Sequence, residues 1–193
     1  MEINSRKAER RVTVAGMKKE KVAAPTRRYP GLLDRIKILA VQAMFSDDDL
    51  LEKLVLKGGN AMVLIHRVSA RTSVDLDFSL AQDFGDDVSS VRVRIEKLLT
   101  DAFVTDGLHL FDFEMVEKPQ VISEDMKHFW GGYEVVFKLA TAAMHAAHNQ
   151  DLNELRRRAL NLGRGTRFSI DISRFEYVEG KQPADLEGYT IYV

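Results

Sequence analysis

Apolar and polar residues follow two different periods along the chain, one typical of helices and one typical of strands. Apolar residues at intervals of three and four predict amphipathic helices, and Gly163 and Gly165 end the last of them. The predicted helices cover residues 31–45, a short segment with its N-cap at Ser46, and residues 60–67, 85–103 and 141–162.

Strict alternation of apolar and polar residues predicts strands elsewhere in the chain. The predicted strands cover residues 74–80, 108–116, 133–139, 167–175, 176–181 and 189–193. We expect the second and third of these to pair antiparallel across a loop that contains Pro119. The mixture of helices and strands without an internal repeat predicts one α+β domain over residues 29–193.

The composition excludes several classes of protein. The 193 residues are 45% hydrophobic and 30% charged, as in an ordinary soluble domain. No apolar run is long enough to span a membrane, and the N-terminus lacks the apolar core of a signal peptide, so we expect a cytoplasmic protein without a membrane partner. The absence of cysteine rules out disulfides and thiolate chemistry, and leaves oxygen and imidazole ligands for any metal.

Residues 1–28 differ from the rest of the chain in charge. They contain nine basic and three acidic residues, a net charge of +6, whereas the whole chain has a net charge of −1. We interpret this segment as a basic, flexible arm that precedes the folded domain. Two roles stay open for it, a solvated tail and a contact with a polyanion or another partner.

The most informative chemistry lies between residues 57 and 77. Gly58 and Gly59 follow a short apolar run, and we interpret them as the junction of a strand with a helix. Glycines at a junction of this kind let the backbone approach a bound phosphate. Asp75 and Asp77 are two residues apart on a predicted strand, so both carboxylates lie on one face and suit a hard cation such as Mg²⁺. Together they predict a site for a metal-bound phosphate, although a plain turn and a solvated strand face would produce the same two motifs.

These residues also resemble a known family. Residues 57–61 read Lys-Gly-Gly-x-Ala, and residues 71–78 read Arg-x-Ser-x-Asp-Leu-Asp-Phe. This pattern, clearest over residues 56–80, is similar to the nucleotidyltransferase signature of AbiEii/AbiGii-type toxins in the DNA polymerase beta-like superfamily. The resemblance implies a nucleotidyltransferase fold, with a mixed, mostly antiparallel sheet flanked by helices.

The resemblance also implies an activity and partners. A member of this family would use Mg²⁺ and transfer a nucleoside monophosphate from an NTP to a target, with RNA as one candidate acceptor. It would act as the toxin of a toxin–antitoxin or abortive-infection (phage defence) system and be restrained by a cognate antitoxin.

Matching positions to the family pattern assigns a role to each candidate residue. The triphosphate would be bound by Lys57, Gly58, Gly59 and Asn60, with Arg71 and Ser73 as further phosphate contacts. Asp75 and Asp77 would hold one metal ion, and Asp171 is the candidate for the third carboxylate that superfamily members carry on a later strand. Asn60 departs from the serine or threonine common at its position, but its amide can still bind a phosphate oxygen.

Other interpretations stay open. Asp171 would have no catalytic role if it lay solvated on an edge strand. Family members continue into a helical C-terminal region, which this chain does not reach at Val193, so we expect either a fragment or a reduced form that acts as a binding or regulatory module. A metal-dependent phosphohydrolase is a third reading. Phe129, Trp130 and Tyr133 would either stack on a base or belong to the core.

Overall fold

The computed structural model describes residues 30–65, 74–119, 121, 123, 126, 130–163 and 165–193, without the side chains of Pro30 and Asp86. The basic arm of residues 1–28 lies outside the described residues, and so do Arg71, Ser73 and Phe129. No helix within the described ranges is long and apolar enough to cross a lipid bilayer.

Helices flank a central sheet in the described part of the chain. They are α1 (Pro30–Phe45), α2 (Asp48–Lys53), α3 (Gly58–Leu64), α4 (Val88–Thr105), α5 (Ala142–His148) and α6 (Leu152–Arg157). The strands are β1 (Leu54–Leu56), β2 (Leu76–Leu80), β3 (Leu108–Lys118), β4 (Gly132–Thr141), β5 (Phe168–Ser173), β6 (Pro183–Leu186) and β7 (Tyr189–Tyr192).

Five of the strands form one mixed sheet in the order β1-β2-β5-β4-β3, and β6 and β7 form a separate hairpin. Within the large sheet β2 and β5 are parallel, whereas the other neighbours are antiparallel. This mixed, mostly antiparallel sheet with flanking helices confirms the predicted α+β class. The predicted antiparallel pairing across the Pro119 loop, now β3 with β4, is also confirmed.

One face of the sheet is covered and the other carries polar residues. Alternate residues of β2 and β5 are buried and join a single apolar core with the inner faces of α1 and α4. These strand residues are Leu76, Phe78, Phe168, Ile170 and Ile172, each at most 1% exposed. Because side chains alternate along a strand, the residues between them point to the opposite, polar face.

Two predictions about helices are wrong for identifiable reasons. The helix expected over residues 141–162 is interrupted, because Asp151 accepts a hydrogen bond from the Glu154 amide (3.0 Å) and caps a second helix. The N-cap of α2 is Asp47 and not Ser46, whose hydroxyl instead donates to the Ala43 carbonyl at 2.7 Å.

The strand predictions near residue 176 also need correction. Residues 176–181 form no strand, and β7 instead pairs with β6, a strand that the alternation of apolar and polar residues did not predict.

The strand predicted over residues 74–80 begins at Leu76, so Asp75 lies in the bend just before it. The strand that carries Asp171 is the middle one of the five, which excludes the edge-strand alternative for that residue.

A bulge in β3 at Asp112 anchors α6 to the sheet. Asp112 has a φ of 51°, and its two carboxylate oxygens accept hydrogen bonds from Arg156 at 2.7 and 2.8 Å. Lys138 on β4 donates to the same carboxylate at 2.9 Å. The hydrogen bonds from Arg156 and then Lys138 outweigh burial and lower the pKa of Asp112 to about 2.

We expect Asp112→Asn to lower the free energy of unfolding by about 1–2 kcal/mol near neutral pH. The folded pKa lies below the ordinary 3.8, so this contribution is present above about pH 4 and is lost as the pH falls towards about 2. Urea unfolding of both proteins from about pH 7 to about pH 3 should show the difference shrinking. Asp101→Asn, at a 62% exposed ion pair on α4, should change stability by less than about 0.5 kcal/mol. A constant difference for Asp112→Asn across this range would contradict the assignment.

Candidate functional site

The parallel pairing of β2 and β5 brings two of the predicted metal ligands together. Asp77 is the register partner of Asp171, and both side chains belong to the polar face. Neighbouring strands are about 4.8 Å apart, so the two carboxylates are adjacent across the sheet. Both residues are partly exposed.

A third acid extends this row onto β4. Glu134 is the register partner of Asp171 on its other side, so Asp77, Asp171 and Glu134 form one acidic row across three strands. Lys118 on β3 pairs with Glu134 at 2.6 Å and closes the row. Burial, and then the charge of Glu134, raise the pKa of Asp171, with smaller contributions from Asp77 and Asp75 opposed by Lys118.

Asp75 joins the acidic row at the start of β2. Its carboxylate accepts a hydrogen bond from Ser169 on β5 at 2.7 Å. The amide of Asn60 on α3 donates to the Asp75 carbonyl at 3.3 Å and to the Asp77 carboxylate at 3.1 Å. Helix α3, whose first two residues are the glycine pair, is therefore tied directly to both acids of the Asp-x-Asp motif.

A buried lysine supports Asn60 from α1. Lys37 is 1% exposed and its ammonium donates to the Asn60 side-chain oxygen at 3.3 Å. Burial lowers the pKa of Lys37, against the opposing charges of Asp34, Asp75 and Asp77. A positive charge thus lies close beneath the acids, with Asn60 between them.

The sequence analysis missed Lys37 and Glu134, although the chain contained a signal for each. Lys37 lies on the apolar stripe of α1, four residues after Leu33 and three before Ala40, where a charge needs a buried partner. Glu134 alternates with buried residues of β4 and so faces the polar side. Its proximity to Asp171 required the strand order, which local patterns do not give.

The glycine pair lies next to the acids and has open space around it. Gly58 and Gly59 are exposed, and a Cβ atom at either position would meet nothing within 4 Å. The backbone amide of Lys57 donates to the Asp77 carbonyl at 2.9 Å, which sets the glycines beside the acidic row. Backbone without side chains is therefore accessible within the candidate site.

The side chain of Lys57 is held by a residue that the sequence analysis did not assign. Its ammonium donates to Glu176 at 2.7 Å and to the Ser173 hydroxyl at 2.9 Å, and the Ser79 hydroxyl donates a further bond to Glu176. Burial opposes ionisation of Glu176, but the hydrogen bonds from Lys57 and Ser79 outweigh it and lower its pKa. Glu176 therefore competes with a phosphate for the ammonium of Lys57.

The carboxylate oxygens on the polar face of the sheet are chemically suitable ligands for a divalent cation. Asp75, Asp77 and Asp171 offer hard carboxylate oxygens, the ligands that a divalent cation such as Mg²⁺ prefers. Among the described residues, no three acidic or histidine side chains already have the spacing of a metal-ligand set. The carboxylates would therefore have to adjust on binding.

The sheet, its flanking helices and the acidic row beside a glycine pair define a nucleotidyltransferase-like α+β fold. The chain belongs to the AbiEii family, whose model, described as "Nucleotidyl transferase AbiEii toxin, Type IV TA system", matches residues 39–189. The family resemblance expected from residues 56–80 is thus confirmed over most of the chain.

Comparison with individual proteins gives weaker evidence than the family match. A search of curated proteins finds no significant match. Among solved structures, the chain is similar to JHP933 from Helicobacter pylori, with 17% sequence identity and a TM-score of 0.44. The similarity covers 83% of this chain and 50% of that chain, so the chain spans about half the length of JHP933. A TM-score this low does not establish a common fold, and the family match alone supports the assignment.

Because Asn60 links a buried ammonium to Asp77, we expect Asn60→Ala to lower the free energy of unfolding by about 1–3 kcal/mol, the cost of removing a buried side chain that forms hydrogen bonds to both groups. Urea denaturation measures this. Asn149→Ala, at an exposed position after α5, is the matched control and should change stability by less than about 0.5 kcal/mol. Equal stabilities of Asn60→Ala and the wild type would show that the bridge contributes nothing.

Proposed function

We propose that this chain carries the active site of a Mg²⁺-dependent nucleotidyltransferase that transfers a nucleoside monophosphate from an NTP to an acceptor hydroxyl. One observation carries the proposal: Asp77 and Asp171 are register partners on the open face of the sheet, with Asp75 and the glycine pair beside them. Family membership supports the same class of reaction.

Each residue has a role in this proposal. Asp75, Asp77 and Asp171 would hold Mg²⁺, which when bound neutralises the triphosphate and lowers the pKa of the attacking hydroxyl. Gly58 and Gly59 let the triphosphate approach the backbone closely, and Asn60 orients Asp77. Lys57 would neutralise phosphate charge after leaving Glu176, and for Arg71 and Ser73 the phosphate role rests on the family pattern alone.

The proposed reaction is a displacement of pyrophosphate at the α-phosphorus of the NTP. The acceptor oxygen forms a bond to the α-phosphorus of the NTP, and the bond from that phosphorus to the bridging oxygen of the β-phosphate breaks. Pyrophosphate leaves, and the hydroxyl proton is released to solvent. The protein contributes mainly by positioning the groups and by balancing charge, as is general for phosphoryl-type transfer.

The family description places its members in type IV toxin–antitoxin systems. We therefore propose that this protein acts as a cytoplasmic toxin, also in phage defence, that a cognate antitoxin restrains, and that RNA is its acceptor. The domain that carries this activity would be residues 29–193, preceded by the basic arm.

Label transfer tests the proposal. The protein is incubated with each α-labelled NTP, Mg²⁺ and total RNA, and we expect a labelled acceptor. Loss of a metal ligand should cost at least as much as loss of a supporting residue, so Asp77→Asn should reduce transfer at least about 100-fold. Asp101→Asn, on the exposed surface of α4, should leave the rate unchanged.

Other outcomes would identify the rival functions. NTP binding without transfer would indicate a binding or regulatory module. Release of phosphate without a labelled acceptor would indicate a phosphohydrolase. Unchanged transfer by Asp77→Asn would contradict the proposed site.

Glu176 competes with phosphate for Lys57 and adds negative charge near the proposed triphosphate. We therefore expect Glu176→Ala to lower the Kd for Mg²⁺–NTP about two- to fivefold, the change expected from removal of a partly exposed ion pair worth roughly 0.5–1 kcal/mol. Anisotropy of a fluorescent NTP measures the affinity. Glu179→Ala in the same loop should not change it, and weaker binding by Glu176→Ala would instead make Glu176 part of the nucleotide site.

A further inference from the structure

Lys37 is a charged residue at a position where the pattern of α1 calls for an apolar one. It is 1% exposed, and its neighbours Ile36, Ala40 and Val41 are completely buried. A lysine is almost never buried to this extent unless it is paired, because removing an ammonium from water is strongly unfavourable. The proposed reaction so far gives this ammonium no role.

The side chain of Asn60 lies between this ammonium and the acids, and its two ends face different partners. The amide oxygen accepts a hydrogen bond from Lys37 at 3.3 Å. The amide nitrogen donates to the Asp77 carboxylate at 3.1 Å and to the Asp75 carbonyl at 3.3 Å. An amide nitrogen carries two hydrogens, so both are committed to the Asp-x-Asp segment. Asn60 is 4% exposed, and these hydrogen bonds are therefore shielded from water.

The ammonium of Lys37 selects which end of the Asn60 amide faces the acids. An ammonium has three donor hydrogens and no acceptor, so it holds the oxygen end of the amide. The nitrogen end then points to Asp77 and binds one oxygen of its carboxylate. In the reverse orientation the amide oxygen would face a carboxylate and the amide hydrogens would face an ammonium, and both contacts would be repulsive. The orientation of Asp77 thus depends on Lys37.

Asparagine has the groups that this bridge requires, whereas the serine or threonine favoured by the family pattern does not. A carboxamide presents an acceptor and two donor hydrogens on separate atoms, and a hydroxyl presents one oxygen with a single hydrogen. Only the longer amide can accept from Lys37 while it donates to two groups of the Asp-x-Asp segment. Lys37 and Asn60 are therefore a matched pair, in which the buried charge and the departure from the family pattern explain each other.

We infer that Lys37 is a positioning residue for the metal site: acting through Asn60, it holds the Asp77 carboxylate in the orientation that binds a divalent cation. This inference rests on the proposed function, in which Asp77 is a metal ligand. In this role Lys37 contacts neither the metal nor the nucleotide. Replacing a residue that orients a metal ligand commonly weakens metal binding about 10–100-fold.

The charge of Lys37 and its positioning role predict opposite effects when the ammonium is removed. The charge interacts with those of Asp75 and Asp77, and it repels any cation that binds between them. Loss of the charge alone would therefore tighten metal binding, whereas loss of the bridge releases Asp77 and weakens it. Lys37→Met separates the two effects, because methionine is apolar, unbranched and able to fill a buried position.

Binding of Mn²⁺ without nucleotide, measured by electron paramagnetic resonance, reports on the site itself. We expect Lys37→Met to raise the Kd for Mn²⁺ about tenfold or more. Lys97→Met, at a 75% exposed position on α4, is the matched control and should leave the Kd unchanged. Circular dichroism establishes that each variant is folded under the binding conditions. In the transfer assay, Lys37→Met should need about tenfold more Mg²⁺ for its half-maximal rate and should recover at high Mg²⁺.

A double-mutant cycle shows whether Lys37 acts through Asn60. Asn60→Ala removes the bridge from its other side and should itself weaken Mn²⁺ binding about tenfold or more. Adding Lys37→Met to Asn60→Ala should then cause no further weakening, whereas independent effects would multiply. Multiplied effects would overturn the inference. Unchanged Mn²⁺ binding by Asn60→Ala would overturn it as well, even if Lys37→Met did not fold.

The outcomes distinguish this inference from the proposed function. Mn²⁺ binding that is lost in Asp77→Asn but unchanged or tighter in folded Lys37→Met would overturn the inference and leave the metal site intact. Weaker Mn²⁺ binding by Lys37→Met, in a protein whose wild type transfers no label, would support the positioning role and refute the proposed enzyme.

Discussion

The parallel pairing of β2 with β5 is the constraint on which the candidate site depends. Leu76 and Phe78 on one strand and Ile170 and Ile172 on the other are buried in a common core, and a shift of one residue would move them to the polar face. The apolar core therefore fixes a register in which Asp77 and Asp171 must be neighbours. Adjacent like charges are unfavourable, so folding energy holds the acids in an arrangement that a cation would stabilise.

The remaining charges around the site make this arrangement tolerable. Lys118 balances Glu134 at one end of the row, and the buried ammonium of Lys37 lies behind Asn60 at the other. Lys57 is held by Glu176, so the cation that the glycine motif contributes is already paired before any nucleotide binds. The Asp75, Asp77 and Asp171 carboxylates form the acidic centre of this face.

Local sequence patterns predicted the features of the fold that are determined by residues close together in the chain. The alternation in residues 74–80 correctly placed Leu76 and Phe78 in the core, and the junction of β1 with α3 at the glycines followed from the apolar run before them. Long-range features were not predictable in this way. The central position of Asp171, the acidic row through Glu134 and the contact of Lys37 with Asn60 all require the strand order or the packing of α1. Side-chain caps at Asp47 and Asp151 also overrode the apolar period, which is why two helix boundaries were wrong.

Binding of Mn²⁺ tests the central claim most directly, because it needs no knowledge of the acceptor. Free Mn²⁺ is measured by electron paramagnetic resonance as the ion is added to the protein, with and without an NTP analogue that cannot be cleaved. We expect binding that strengthens with the analogue, is lost in Asp77→Asn and in Asp171→Asn, and persists in Asp101→Asn. Mn²⁺ binding that survives in both acidic-row variants, or that is absent even with the analogue, would contradict a metal–triphosphate site on this face of the sheet.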